Sequence, residues 1–187
     1  MDQRDLVERA GRGDHDAFAV LVRAGIARLD AAARLILHDP ELARDAVQDG
    51  LVKAWRDLPG LRDSDRFDAW IRRIVVRSCL EILRRRRRRV IEVELTQSAD
   101  VPVGDIGSFV VDRDQVERAL RRLDPDWRAL VVVHYFLGVP LPEAAETLGI
   151  PLGTAKSRLH RSLALMRLEL QLDSASEAIE LPRGQTA

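Results

Sequence analysis

Three sets of residues have the type and spacing to do chemistry. Thr154, Ser157, His160 and Arg161 recur at intervals of three and four residues, so on a helix turning about 100° per residue they gather on one side with Gly153. Two hydroxyls, an imidazole and a guanidinium on one stripe can hydrogen-bond base edges in a major groove. Lys156 and Arg158 flank that stripe, placed for phosphates, whose contacts set register and add salt-dependent affinity. The competing reading is an ordinary amphipathic helix with a solvated basic face. Arg66, Trp70, Arg73 and Arg77 form a second set at spacings of four, three and four. An indole within a row of guanidinium groups suits a single strand, because flat aromatic faces stack bases while arginines follow the backbone. Trp70 packed on a neighbouring helix is the alternative, and Phe67 reads as core. Six consecutive arginines, Arg84 to Arg89, repel one another unless anions offset them, which favours a phosphate backbone over a solvated run. A third set, Asp45, Gln48, Asp49 and Val52, lies opposite the apolar line Ala43, Ala46, Val47, Leu51, Ala54 and Leu58. Two carboxylates, an amide and a misplaced valine suit a basic protein partner better than DNA.

Enzymatic chemistry finds little to stand on. Asp63, Asp65 and Asp68 are the one carboxylate cluster that could hold a nuclease metal, and we expect no catalytic residues, no cofactor and no metal site. Cysteine and histidine residues lack metal-ligand spacing, and the single cysteine, Cys79, reads as a small buried helix residue.

The elements that must position these sets are helices. Aromatics make up 4% of the chain and hydrophobic residues 46%, so the cores must be built from Leu, Val, Ile and Ala, and no alternating polar and apolar run suggests a sheet. We expect an all-α protein of two small helical domains joined by a flexible linker. Residues 1–90 form the first lobe. Asp14 or Asp16 caps a helix ending at Asp39-Pro40, a second runs from Glu41 to Leu58, and a third starts near Ser64 or Asp65 and runs out in the arginines. Residues 91–113, with Pro102, Gly104 and Gly107, read as an acidic linker. Residues 114–170 form the second lobe. There Val116, Leu120 and Leu123 share a stripe, and Pro125 opens the helix that carries Trp127. Leu141, Ala144, Ala145 and Leu148 then give a short helix one small-residue face. Gly149 stops that helix and Pro151 opens the last one, which we expect to reach about Leu170 with Ala155, Leu159, Leu163 and Met166 inward. That succession is a helix-turn-helix. Residues 171–187 read as a polar, frayed tail.

A net charge of zero hides an alternation. Residues 1–90 carry 20 basic and 15 acidic side chains and residues 117–168 carry 8 and 5, whereas 91–116 carry 1 and 6 and 169–187 carry 1 and 4. Two basic lobes separated by acid are consistent with a nucleic-acid partner. Charges from Asp2 onward, and the lack of any apolar run of about 18 residues, predict a cytoplasmic protein with neither signal peptide nor membrane insertion.

In order and spacing, these segments resemble the extracytoplasmic-function (ECF) group of sigma factors in the sigma-70 superfamily. The stretch Asp45 to Trp55 is similar to the acidic-Gln segment of region 2. Leu148 to Arg161 is similar to the region 4 recognition segment, and Phe67 to Arg77 with the following arginines to the promoter-melting segment. The resemblance implies a factor that binds core RNA polymerase and directs promoter-specific transcription initiation. Asp45, Gln48, Asp49 and Val52 would dock on the clamp helices. Asp63, Ser64, Arg66, Trp70, Arg73, Arg77, Arg84 and Arg85 would serve the minus-10 element, and Thr154, Lys156, Ser157, Arg158, His160 and Arg161 the minus-35 element. An anti-sigma factor is an implied partner, and the acidic linker would thread the RNA exit channel. Arg77 stands where the family commonly has asparagine, and Asp49 where it commonly has glutamate. The rival from another class is a stand-alone helix-turn-helix regulator that binds duplex DNA without polymerase.

Overall fold

A computed structural model of the protein describes residues 2–94 and 111–180. The first lobe holds five helices: α1 (Gln3–Gly11), α2 (His15–Arg23), α3 (Ile26–Leu37), α4 (Pro40–Asp57) and α5 (Phe67–Glu94). Single 3-10 turns at Leu58–Gly60 and Ser64–Arg66 bridge the last two. The second lobe holds α6 (Val111–Arg121), α7 (Pro125–Val131), whose end loosens into a π-turn at Val132–Phe136, then α8 (Leu141–Leu148) and α9 (Leu152–Glu180).

The capping chemistry works as the residue types dictate. The Asp14 carboxylate accepts from the Ala17 amide at 3.0 Å, and that bond, together with one from Arg9, holds its carboxyl below the usual range. Asp39 accepts from the Glu41 and Leu42 amides, with Pro40 in the first turn where its missing N–H costs nothing. Asp124 does the same for α7, ahead of Pro125.

Four expectations about the elements need correction. The helix expected to run unbroken from Asp14 or Asp16 to Asp39 divides at Ala24-Gly25, where glycine lowers helical preference and starts a new helix at Ile26. A further helix, α1, precedes it and buries Leu6, Val7 and Ala10. Helix also intrudes on both sides of the expected 91–113 linker, through Glu94 and again from Val111. Of that linker, residues 95–110 lie outside the described residues. Finally, α9 continues to Glu180 rather than fraying near Leu170, since neither glycine nor proline occurs between Gly153 and Pro182. Residues 181–187 of the expected tail lie outside the described residues.

Core positions follow the helical periodicity. Phe67, Ile71, Val75, Val76 and Cys79 are buried in the first lobe, and desolvation pushes the Cys79 thiol up to about 12. Gly50 lets α4 and α5 approach closely, for a Cβ there would sit 2.8 Å from Val75 Cγ2 and 3.1 Å from Val75 Cα. In the second lobe Leu120, Leu123, Leu130, Val132, Val133 and Leu148 are buried. Val116, expected on the buried stripe, is 43% exposed and lines an apolar cavity of about 510 Å³ with Leu35, Tyr135, Leu163 and Met166. Buried residues of the two lobes form one contiguous cluster.

Candidate nucleic-acid interface

The helix-turn-helix is assembled by backbone chemistry first. Gly149 adopts the left-handed conformation at φ 70°, open to glycine at little cost. With that turn the Ile150 amide donates to the Ala145 carbonyl at 3.0 Å and the Gly149 amide to Glu146 at 3.2 Å, the paired bonds of a Schellman stop. Small residues then let the two helices close up, with Ala144, Ala145 and Ala155 all buried. Leu159 is buried and Leu163 and Met166 pack against the core. The opposite side of α9 is left outward. Lys156, Ser157, His160 and Arg161 are exposed, and Thr154 and Arg158 are half-buried. The Ser157 hydroxyl donates to the Thr154 carbonyl at 3.0 Å, so it must rotate to reach a ligand.

The second stripe is only partly outward. Phe67 is core, as its spacing predicts, and Trp70 is half-buried against the core, its ring centroid 6.0 Å from that of Phe67. Arg66 and Arg77 are exposed. Arg73 is half-buried, with Nη2 3.6 Å from Glu146 and 3.9 Å from Glu143 on α8 of the other lobe. Its Nε is buried without a hydrogen-bond partner among the described residues. The two ends of the stripe are thus open, Arg73 faces the helix-turn-helix lobe, and Trp70 takes the packed alternative beside Phe67 of its own lobe.

Ahead of α5, Asp63 accepts from the Asp65 amide at 3.1 Å and pairs with Arg66 at 3.3 Å. The loop is tied to α1, where Gln3 Nε2 donates to the Ser64 carbonyl at 2.9 Å and Arg4 pairs with Asp65 at 3.1 Å. At the far end of α5, Arg84, Arg85 and Arg88 are exposed. Arg86 instead pairs with Asp39 at 2.7 Å and Arg87 with Asp126 at 3.7 Å. Protein carboxylates thus supply some of the anions that the run requires.

Along α4, Asp45, Gln48, Asp49 and Val52 are exposed, Val52 by 61%. Asp49 is partly committed inward. Lys53 lies 2.9 Å from it and 2.8 Å from Glu81, a pairing that raises the lysine chiefly through Glu81.

Three arginines and a histidine at the seam between the lobes went unread in the sequence. Arg128 is 6% exposed; its Nε donates to the Ile36 carbonyl at 2.9 Å and its Nη1 to Leu123 at 3.4 Å. Arg28 donates to the Phe136 carbonyl at 2.7 Å and Arg72 to the Leu137 carbonyl at 3.1 Å. His38 caps α3 in the left-handed conformation at φ 50°. Desolvation, followed by the nearby charges of Arg128 and Arg121, lowers its pKa to about 4.

Comparison with known proteins accords with this geometry. Residues 21–89 match the family model for sigma-70 region 2, and residues 113–166 that for sigma-70, region 4. The chain is 34% identical to the RNA polymerase sigma-E factor of Streptomyces avermitilis over 154 residues, 82% of this chain and 85% of that protein. It is 37% identical to the ECF RNA polymerase sigma factor SigM of Mycobacterium tuberculosis over 153 residues, 81% of this chain and 76% of that protein. Among solved structures, CnrH in complex with the cytosolic domain of CnrY aligns at a TM-score of 0.64 with 29% identity, covering 92% of this chain and 99% of that one. The sigma factor RpoE of Bartonella quintana, in complex with the anti-sigma factor NepR, aligns at 0.67 with 25% identity, covering 83% and 98%. A region 2 lobe followed by a region 4 lobe, with relatives matched across both, identifies the chain as a member of the ECF group of the sigma-70 family.

Proposed function

We propose that three surfaces of this sigma factor divide the work of promoter-directed transcription initiation. The exposed α4 face of Asp45, Gln48, Asp49 and Val52 docks on the clamp helices of core RNA polymerase. Lys156, Ser157, His160 and Arg161, with Thr154 and Arg158 at the margin, read and grip the minus-35 element. The Asp63–Arg66 loop and the α5 stripe of Trp70, Arg73 and Arg77 take a base of the opened minus-10 element, while Arg84 and Arg85 follow its backbone. We assign no covalent step to the chain, and place its work in the cytoplasm with the polymerase. No helix among the described residues is long and apolar enough to cross a membrane.

One observation carries this reading: the Schellman turn and the packing of α8 on α9, with Ala144, Ala145 and Ala155 buried, leave the recognition stripe outward in a chain that also carries a region 2 lobe. A regulator acting without polymerase has no use for the exposed α4 face. Run-off transcription with core polymerase on a genomic fragment library tests the whole. Specific transcripts that vanish on D45K/D49K support the reading, and a chain that binds duplex DNA but never yields a transcript with core polymerase overturns it. We further assign the apolar cavity at Val116, Leu120, Tyr135 and Met166 to an apolar helix of an anti-sigma factor, the class of partner seen with RpoE.

A further inference from the structure

We propose that Lys53 tunes polymerase docking: it shares its charge between Asp49 on the docking face and Glu81 on α5, and the share that Asp49 receives sets how tightly the chain holds core polymerase. The inference rests on the assignment of the α4 face to the clamp helices.

The two carboxylates of that face are not equal. Asp45 is exposed and has no hydrogen-bond or ion-pair partner among the described residues, so its whole charge is open to a basic partner. Asp49, one turn further along α4, is engaged from its own lobe. Its Oδ2 lies 2.9 Å from Lys53 Nζ and accepts from the Ser78 hydroxyl at 3.4 Å. Arg56, the other cation that acts on Asp49, is bound to Asp57 at 2.8 Å. Lys53 is therefore the side chain that decides how much negative charge Asp49 presents outward.

An ammonium carries three donors, and all three have acceptors here: Asp49, Glu81 Oε2 at 2.8 Å and the Ser78 hydroxyl oxygen at 3.2 Å. Ser78 is buried, and the Lys53 side chain is half as exposed as that of Asp49, 28% against 56%. The ammonium is thus held between α4 and α5 while the carboxylate stays in water. Glu81 and Asp49 compete for one charge, with Glu81 exerting the larger pull. When a cation of the partner takes Asp49, Lys53 keeps Glu81 and Ser78, so docking strands no unpaired charge at the helix seam. A brace between two helices and a divider of charge differ in sign. Cutting either arm of a brace loosens the lobe in the same way. Cutting either arm of a divider moves Asp49 in opposite directions.

Equilibrium titration of the fluorescently labelled full chain with core RNA polymerase reads that sign. K53M keeps the aliphatic stem, removes the charge and should tighten binding ~2- to 5-fold at low salt, the worth of one exposed ion pair. The gain should shrink as salt screens it. E81Q keeps an acceptor for the ammonium but gives Asp49 the whole charge, and should weaken binding ~2-fold on the same scale. E81Q should then be silent in a K53M background, and both changes silent in a D49N background. Losses from K53M and E81Q alike indicate a brace and overturn the proposal. So does an E81Q loss that persists in K53M, which indicates direct contact of Glu81 with polymerase. Should K53M fail to fold, E81Q with and without D49N decides, since a loss that survives D49N overturns the proposal. D45N and D49N alone report on docking itself. If neither weakens binding, the docking reading falls and this inference with it. If both weaken it while K53M brings no gain, docking stands and the tuning role is overturned.

Discussion

The two candidate DNA surfaces are built from the same materials and presented in opposite ways. On α9 the polar stripe faces outward, and its buried counterpart is short and local, with Ala144, Ala145 and Ala155 buried where α8 packs on α9. On α5 a similar stripe is open at Arg66 and Arg77, while Trp70 is half-buried beside Phe67 of its own lobe and Arg73 faces Glu143 and Glu146 of the other. A helix that reads intact duplex can be ready at all times, because duplex is always present. A face that takes unpaired bases is useful only once a strand has been opened, so covering it until then costs nothing in recognition and restrains nonspecific binding to single strands.

The contrast can be broken or sharpened experimentally. The largest effect is expected from D45K/D49K, which places like charges against the basic partner that the α4 face fits. Juxtaposed like charges cost several kcal/mol, so co-purification with core polymerase should be lost and both surfaces should become irrelevant to transcription together. Next comes R161A, for which a base contact predicts a loss of ~1–3 kcal/mol in duplex affinity with relaxed sequence preference. That loss should be as large in the isolated chain as in the holoenzyme, measured by fluorescence anisotropy on a minus-35 duplex. R73A should behave oppositely, nearly silent in the isolated chain and costly with polymerase on an opened template. Equal losses in both settings would erase the distinction between the surfaces.

Two further changes probe the scaffold. G50A improves helix propensity by up to ~1 kcal/mol but presses a methyl group to within 2.8 Å of Val75. With overpacking at ~1–3 kcal/mol, the net loss should be ~0–2 kcal/mol in urea denaturation. The smallest effect concerns His38, whose folded pKa of about 4 lies below its ordinary value of 6.5. Its neutral form is the one the fold accepts, so its contribution is complete above about 6.5 and is lost as pH falls towards 4. Stability should therefore drop between pH 7 and 5. His38→Asn, which tolerates the left-handed backbone, should flatten that slope.

Legibility in the sequence tracked locality. The Gly149-Ile-Pro151 turn, a cap at Asp14 or Asp16, the opening of α7 at Pro125, and the inward line of α9 were all readable, because each is decided within a few residues. The break at Gly25 and the run of α9 to Glu180 were not, since a lone glycine and a tail rich in charge leave helix and coil nearly balanced until packing decides. Arg28, Arg72 and Arg128 looked like any surface arginine. Their acceptors lie 108, 65 and 92 residues away, beyond the reach of any periodicity. Gly50 sat unremarked inside a good helix for the same reason: Val75 is what requires it.

The bonds from α1 to the Ser64 carbonyl and the Asp65 carboxylate span 61 residues and join the very start of the chain to the loop proposed to hold a flipped base. The first eleven residues thus work as a clasp. They precede the segment matched to region 2, yet they hold the loop proposed to receive a base. Breaking the clasp alone, with Q3A/R4A, would unfasten Ser64 and Asp65 while sparing buried Leu6, Val7 and Ala10, so a residue that faces no DNA would tune the loop proposed to hold a base.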